Sequence, residues 1–237
     1  MKIIDMPADW PADEAAALSV QDELRTRVIL DEPGPPPATG LVTGVDVAYD
    51  DERDIVAAAA VVLDAATLTV VEEATAIGRV AFPYVPGLLA FREIPTVLAV
   101  LESLATDPSL VVCDGYGLAH PRRFGLASHL GVLTGRPVIG VAKNPFVFSY
   151  GELGPRRGDF ASLRADDGEE VGRAVRTQDG VKPVFVSVGH RATLDNACAH
   201  TLHLASRYRL PESTRLADRL CRRALVVART QVPVPGN

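Results

Sequence analysis

Three runs of β-forming residues follow one another closely, and they constrain the fold more than any other feature of the chain. The runs cover residues 41–49, 54–63 and 67–77. The segments that join them, YDDER and DAA, are short enough for hairpin connections. The sequence therefore predicts three consecutive antiparallel strands.

A helical pattern and two apolar runs come next. Apolar side chains recur at helical intervals over 88–104, and Pro95 fits this helix only in its first turn. The apolar runs 109–115 and 136–143 flank a second helical segment over 123–133. This β-α-β order predicts buried, parallel strands.

The remaining segments complete an α/β protein with a mixed sheet flanked by helices. A leading helix is predicted over 12–30, a polar loop over 151–170, and a strand pair from GRAVRT and VKPVFVSVG. The C-terminal part is helical with a break at LPES. With no internal repeat or linker, we expect one domain over 1–237, ending in a flexible tail over 228–237.

Composition indicates a folded globular protein rather than a disordered or membrane-spanning one. Hydrophobic residues make up 47% of the chain and charged residues 23%, which is typical of a folded globular protein. Because the sequence has neither a run of 18 apolar residues nor the pattern of a signal peptide, we expect no membrane segment and a cytoplasmic location. Three cysteines without a CxxC pair predict reduced, buried thiols.

The net charge of −6 is unevenly distributed along the chain. The first 118 residues carry 6 Lys and Arg against 20 Asp and Glu, whereas the remainder carries 18 against 10. Such a division permits one face to attract phosphate while another concentrates carboxylates. Codon usage alone is an equally good explanation of the arginine content.

Two aspartates interrupt apolar strands. Asp46 lies between two valines, where an ionised carboxylate needs a compensating partner. Asp114 ends the run VVCD, at the strand edge where α/β sheets bind ligands. Each aspartate could instead simply satisfy backbone donors in a turn.

Two further acids lie on predicted helices. Glu93 is near the start of its helix, where it could merely complement the helix dipole, and Asp218 could balance neighbouring arginines. If the fold gathers the four acids, their oxygen-only ligand set selects Mg²⁺ or Mn²⁺ and suits phosphoryl transfer. Lys143 could then neutralise the reacting phosphate, although a solvated surface lysine is an equal alternative.

Six long motifs resemble the endonuclease V family of deoxyinosine-specific repair nucleases. They are GVDVAY, FPYVPGLLAFRE, VCDGYGLAHPRRFGLASHLG, VIGVAKNP, PVFVSVGHR and YRLPESTRLAD. The resemblance spans residues 12–225 and implies an RNase H-like fold, with a mixed five-stranded sheet whose first three strands are antiparallel.

The resemblance also assigns roles to residues. Asp46, Glu93 and Asp114 would be the metal-binding acids, Lys143 the active-site lysine, and Asp218 a fourth catalytic position that is Asp or His in the family. The strand-separating wedge would be Pro83, Tyr84, Val85 and Pro86. The lesion pocket would be formed by Gly87, Leu89, Gly115, His120 and Leu126, and phosphate would be bound by Arg122 and Arg123. Tyr116 departs from the His or Asn often found at its position.

The implied activity is Mg²⁺-dependent cleavage of the second phosphodiester bond 3′ to deoxyinosine, leaving 3′-hydroxyl and 5′-phosphate ends, with Mn²⁺ as a substitute metal. Cleavage of inosine-containing RNA, or binding of the lesion without catalysis, are the alternative functions. The partners would be DNA containing deoxyinosine, or inosine-containing RNA or single strands, with unidentified repair enzymes acting downstream. The protein would be a monomer without membrane contact.

Overall fold

In the computed structural model, which describes residues 10–231, eight strands form one mixed sheet with helices on both faces. The strands are β1 (Leu41–Asp50), β2 (Ile55–Asp64), β3 (Val70–Gly78), β4 (Leu110–Cys113), β5 (Val138–Ala142), β6 (Phe160–Arg164), β7 (Glu170–Val175) and β8 (Val184–His190). The helices are α1 (Glu14–Leu24), α2 (Leu89–Ser103), α3 (Leu126–Thr134), α4 (Leu194–Leu204) and α5 (Glu212–Gln231). None of these helices is long and apolar enough to cross a membrane.

The strand order is β3-β2-β1-β4-β5-β8-β7-β6. The predicted antiparallel pairing of β1, β2 and β3 is confirmed. The predicted parallel pairing of β4 and β5 is also confirmed, and β4 pairs in parallel with β1 on its other side. The predicted number of five strands is wrong. Three antiparallel strands, β8, β7 and β6, extend the sheet beyond β5.

The segment 151–170, predicted as a loop, contains β6 at the edge of this extension. Ala161 and Leu163 are buried in β6, whereas Phe160 and Arg164 are exposed. Such alternation is typical of a half-buried strand. In a segment of only five residues, two buried positions are too few to give a recognisable strand pattern in the sequence.

The two ends of the described chain also differ from the prediction. Helix α1 begins after Asp13, whose side chain accepts a 2.9 Å hydrogen bond from the Ala16 amide, and it ends at Leu24 before a short 3₁₀ turn. The predicted helix over 12–30 is therefore too long. Helix α5 continues to Gln231, so the first residues of the predicted tail are helical, and 232–237 lie outside the described residues.

Pro95 lies inside α2, beyond its first turn. A proline has no amide hydrogen to donate to the carbonyl four residues earlier, which here belongs to Phe91. The indole Nε1 of Trp10 donates to that Phe91 oxygen at 2.8 Å. A side chain from outside the helix thus replaces the missing hydrogen bond.

The core has one layer on each side of the sheet. Residues of α2 and α3 pack on one face, and residues of α4 and α5 pack on the other. Gly44 permits the closest approach of α5 to β1, because a Cβ atom there would lie 2.2 Å from the main-chain carbon of Ser213. Alternation along β1 places Asp46 on this same face.

We expect Gly44→Ala to destabilise the protein because α5 must move away from β1. Overpacking of this kind costs about 1–3 kcal/mol, which corresponds to a decrease in melting temperature of several degrees. Thermal unfolding followed by circular dichroism measures the change. Gly151→Ala is the matched control, since a Cβ at Gly151 meets nothing within 4 Å. Equal melting temperatures for the two variants would contradict the role of Gly44.

Candidate active site

Two aspartates lie side by side where β4 ends. The parallel register pairs Val45 of β1 with Cys113 of β4. The next residue on each strand is an aspartate, so Asp46 and Asp114 occupy neighbouring positions at the carboxyl end of β4. Lys143 follows the carboxyl end of β5, the next strand of the sheet. Its Nζ forms an ion pair with Asp114 Oδ2.

The third acid reaches the site from α2. Glu93 is buried, and its Oε1 accepts a 2.7 Å hydrogen bond from the hydroxyl of Tyr49 in β1. The guanidinium of Arg92 lies 4.6 Å from the centre of the Tyr49 ring and donates to the Phe82 carbonyl at 3.2 Å. Glu93 is therefore held by a hydrogen-bonded tyrosine that is itself packed under an arginine.

The three acids line one open pocket of about 390 Å³. Its wall also contains Lys143 and all five residues predicted for the lesion pocket. Three of the four predicted wedge residues, Tyr84, Val85 and Pro86, lie at the same pocket. The chain thus brings together residues that are far apart in sequence, as the motifs predict.

Burial and repulsion between carboxylates raise the pKa values of two acids of the pocket, Asp46 and Glu93. Burial raises the pKa of Asp46 to about 7, with a further contribution from the charge of Asp114. Burial also raises the pKa of Glu93 to about 8, against the opposing effect of the Tyr49 hydrogen bond. Burial alone would lower the pKa of Lys143, but its hydrogen bond to Asp114 and the nearby carboxylates raise it. Lys143 therefore remains positively charged at neutral pH.

The loop that carries the predicted wedge is anchored at both ends. Phe82 is buried against Phe91, with ring centroids 5.8 Å apart. At the other end, the Gly87 carbonyl accepts from Gln21 Nε2 at 3.0 Å and lies 3.0 Å from His120 Nε2. Between these anchors the Tyr84 side chain is 69% exposed. The loop thus presents an aromatic ring to solvent on a fixed base.

His120 is neutral and has a defined tautomer. Burial lowers its pKa to about 4, so the ring carries no charge at neutral pH. The Arg122 amide donates to His120 Nδ1 at 3.2 Å, and the Gly87 oxygen can only accept from Nε2. The proton therefore resides on Nε2, and His120 supports the pocket wall rather than supplying positive charge.

Three predicted residues are engaged elsewhere. Asp218 does not line the pocket; its Oδ1 lies 2.9 Å from Arg222 Nε, although its charge contributes to the raised pKa of Asp46. Arg122 pairs with Asp22 at 2.6 Å, and Arg123 pairs with Glu169 at 2.7 Å. The two arginines predicted to bind phosphate thus each form an ion pair with a carboxylate, and their role in binding phosphate stays a prediction.

Sequence reasoning missed four residues that shape the site. Tyr49 and Arg92 lie within recognised motifs, but nothing in their spacing indicates that they hold Glu93. Gln21 gives no signal that distinguishes it from the other polar residues of α1. Phe146 lines the pocket with its ring 5.8 Å from that of Tyr116, whose hydroxyl donates to the Asn144 carbonyl. Only tertiary packing reveals these partnerships.

The donor chemistry of the acids fits a hard divalent cation. Asp46, Glu93 and Asp114 offer only oxygen atoms, and a cation would relieve the repulsion and burial that raise two of their pKa values. As the side chains stand, no three His, Cys, Asp or Glu residues among 10–231 are arranged to hold a metal ion. The acids instead contact the Val47 amide, Tyr49 and Lys143.

This chain is similar in sequence and in structure to proteins of one known family. The family model described as Endonuclease V matches residues 22–219. Endonuclease V of Streptomyces avermitilis is 74% identical over 225 residues, covering 95% of this chain and 98% of that protein. Its crystal structure matches with a TM-score of 0.91, covering 94% of this chain and 97% of the other.

A more distant match carries a ligand. The structure of Ciona intestinalis endonuclease V in complex with a 24mer DNA containing an inosine followed by a ribo-adenosine is 28% identical to this chain. It has a TM-score of 0.79 and covers 90% of this chain and 98% of that one. Together with the acidic pocket, these matches define a nuclease that cuts within a nucleic-acid strand. The chain belongs to the endonuclease V family.

We expect Asp46→Asn to stabilise the metal-free protein at pH 8.5. The folded-state pKa of Asp46 is raised to about 7, so its stabilising contribution is present at low pH and is lost as the pH rises through that value. Asparagine removes the buried charge. A gain of roughly 1 kcal/mol would raise the melting temperature by about 2–4 °C.

Melting temperatures of both proteins, measured in chelator at pH 5.5 and 8.5, test this expectation. The difference between variant and unaltered protein should be larger at the higher pH. A difference that is independent of pH would show that Asp46 does not carry the repulsion.

Proposed function

We propose that this protein is a Mg²⁺-dependent endonuclease that recognises deoxyinosine in DNA. Cleavage would fall at the second phosphodiester bond 3′ to the lesion and leave 3′-hydroxyl and 5′-phosphate ends. The observation that carries the proposal is the convergence of three acids, a lysine and an anchored tyrosine loop on one pocket. Mn²⁺ would substitute for Mg²⁺.

Asp46, Glu93 and Asp114 would hold the divalent ion. When bound, such an ion stabilises negative charge on phosphate and favours deprotonation of water. Tyr49 keeps Glu93 directed into the pocket through its hydrogen bond. Lys143 supplies a permanent positive charge beside Asp114, where it can bind a non-bridging phosphate oxygen.

The pocket beside the acids would accept the displaced hypoxanthine base. Gly87 and Gly115 line it, and a residue without a side chain allows the main chain to approach a base edge closely. The exposed Tyr84 would enter the duplex and occupy the space left by the base. The inosine-containing DNA bound by the Ciona intestinalis relative supports this choice of lesion.

RNA is the second candidate substrate. In the Ciona intestinalis complex, a ribo-adenosine follows the inosine, so that relative accommodates a ribonucleotide next to the lesion. Matched DNA and RNA strands with one inosine, cleaved in parallel, distinguish the two substrates. Cutting of RNA alone would replace the DNA proposal.

We expect Glu93→Gln to abolish most cleavage of a labelled duplex with one inosine. Loss of a ligand for a catalytic metal removes several kcal/mol of transition-state stabilisation, which corresponds to at least about a 100-fold lower single-turnover rate. Glu102→Gln is the matched control, because Glu102 is exposed on the same helix. Chelator should abolish cleavage, and product formation without divalent ions would refute the mechanism.

We expect Tyr84→Ala to impair cleavage of duplex DNA more than cleavage of single strands, because a single strand needs no separation. Loss of base–aromatic stacking costs about 1–3 kcal/mol, or roughly 5- to 150-fold in rate. Tyr84→Phe retains the ring and should retain most activity. Equal losses on duplex and single-stranded inosine substrates would argue against a wedge.

A further inference from the structure

The positive charge that remains without a carboxylate partner is concentrated in one region. Fourteen of the 23 Lys and Arg residues within 10–231 lie within 4.0 Å of a carboxylate oxygen. Six of the other nine fall in three loops, 153–159, 176–183 and 205–211. These six residues, here called the basic cleft, are Arg156, Arg157, Arg176, Lys182, Arg207 and Arg209.

Sheet topology brings two of these loops to the edge that holds the acidic pocket. Ala142 of β5 pairs with Phe185 of β8, so the residues before β8 lie beside Lys143. Val175 of β7 pairs with both Val184 and Phe160, which aligns the end of β7 with the starts of β8 and β6. The loops 153–159 and 176–183 therefore follow one continuous edge outward from Lys143.

Hydrogen bonds attach the third loop to the same edge. Thr177 Oγ1 donates to the Arg209 carbonyl at 2.7 Å, and Gln178 Nε2 donates to the Ala205 carbonyl at 2.7 Å. The Arg209 guanidinium contacts the carbonyls of Lys143 and Pro183, the second at 2.8 Å. Arg209 thus joins the basic cleft directly to the main chain of the active-site lysine.

The basic cleft is open and remains positively charged. A depression of about 540 Å³ is lined by Arg157, Arg207, Tyr208 and Arg209, among others. Arg157 and Arg209 donate to main-chain carbonyls, which fix the guanidinium groups without cancelling their charge. The three loops contain six basic side chains against two acids, Asp159 and Asp179, so the positive charge predominates although Asp179 also lines the depression. Each of the two acids accepts a hydrogen bond from a main-chain amide.

We propose that the basic cleft binds the sugar-phosphate backbone of the nucleic acid whose strand enters the active pocket. Unpaired arginines on a rigid base suit phosphate oxygens, and they would bind without reading sequence. The Tyr208 ring lies at the same place, with the guanidinium groups of Arg207 and Arg215 at 5.4 Å and 4.4 Å from its centre. This inference rests on the proposed function only in that the bound strand is the one presented for cleavage.

The test is the salt dependence of binding to a fluorescent duplex without inosine, measured by anisotropy in chelator. Arg156 and Arg207 are exposed, and neither side chain makes a hydrogen bond within the described chain, so Arg156→Gln/Arg207→Gln should fold normally. Each lost phosphate contact reduces the slope of log K against log salt by roughly 0.9, so the double variant should lose about 1.8. Arg156→Lys/Arg207→Lys should keep the original slope.

The matched control is Arg219→Gln/Arg223→Gln, which removes two exposed charges of α5 that lie outside the cleft and also have no carboxylate within 4.0 Å among the described residues. An unchanged slope in the cleft variant, an equal loss in the control, or no measurable duplex binding by the unaltered protein would each overturn the inference. Because the duplex carries no inosine and no metal is present, the result is independent of lesion recognition and cleavage. Failure of the proposed function would appear in the cleavage assays alone.

Discussion

The parallel pairing of β1 with β4 is the constraint on which the rest of the site depends. It places Asp46 of β1 beside Asp114, which directly follows β4, so two like charges must share a partly buried space. The surrounding structure moderates this repulsion. Lys143 pairs with Asp114, the Val47 amide donates to Asp46 at 2.8 Å, and Tyr49 binds Glu93. Repulsion that remains in a site of this kind lowers the stability of the folded protein, and a bound cation would relieve it.

The uneven charge of the sequence corresponds to two adjoining surfaces. The acidic first half supplies all three carboxylates of the pocket, and the basic second half supplies Lys143 and the basic cleft. Because both surfaces lie along one edge of the sheet, the site proposed for a cation adjoins the surface proposed for a polyanion. The total charge of −6 conceals this division.

Patterns of apolar and polar residues within single segments predicted much of the first part of the fold. The antiparallel meander, the β-α-β unit and the placement of Asp46 and Asp114 follow from alternation and strand order. The edge strand β6 was missed because only Ala161 and Leu163 are buried in it. The ion pairs of Arg122 and Arg123 with Asp22 and Glu169 were not predicted, because these partners lie far away in sequence. An ion pair between segments that are far apart in sequence cannot be recognised from the residues around either partner. Composition therefore cannot distinguish an arginine with a carboxylate partner from one without.

The hydrogen bond that compensates for Pro95 links the start of the described chain to the helix that carries Glu93. Trp10 donates to the Phe91 carbonyl, only two residues before Glu93 on the same helix. An affinity tag or a truncation that displaced this indole would leave a carbonyl without a donor in the middle of α2. Recombinant forms shortened up to α1 would therefore lose a hydrogen bond two residues before Glu93, although every predicted ligand would still be present.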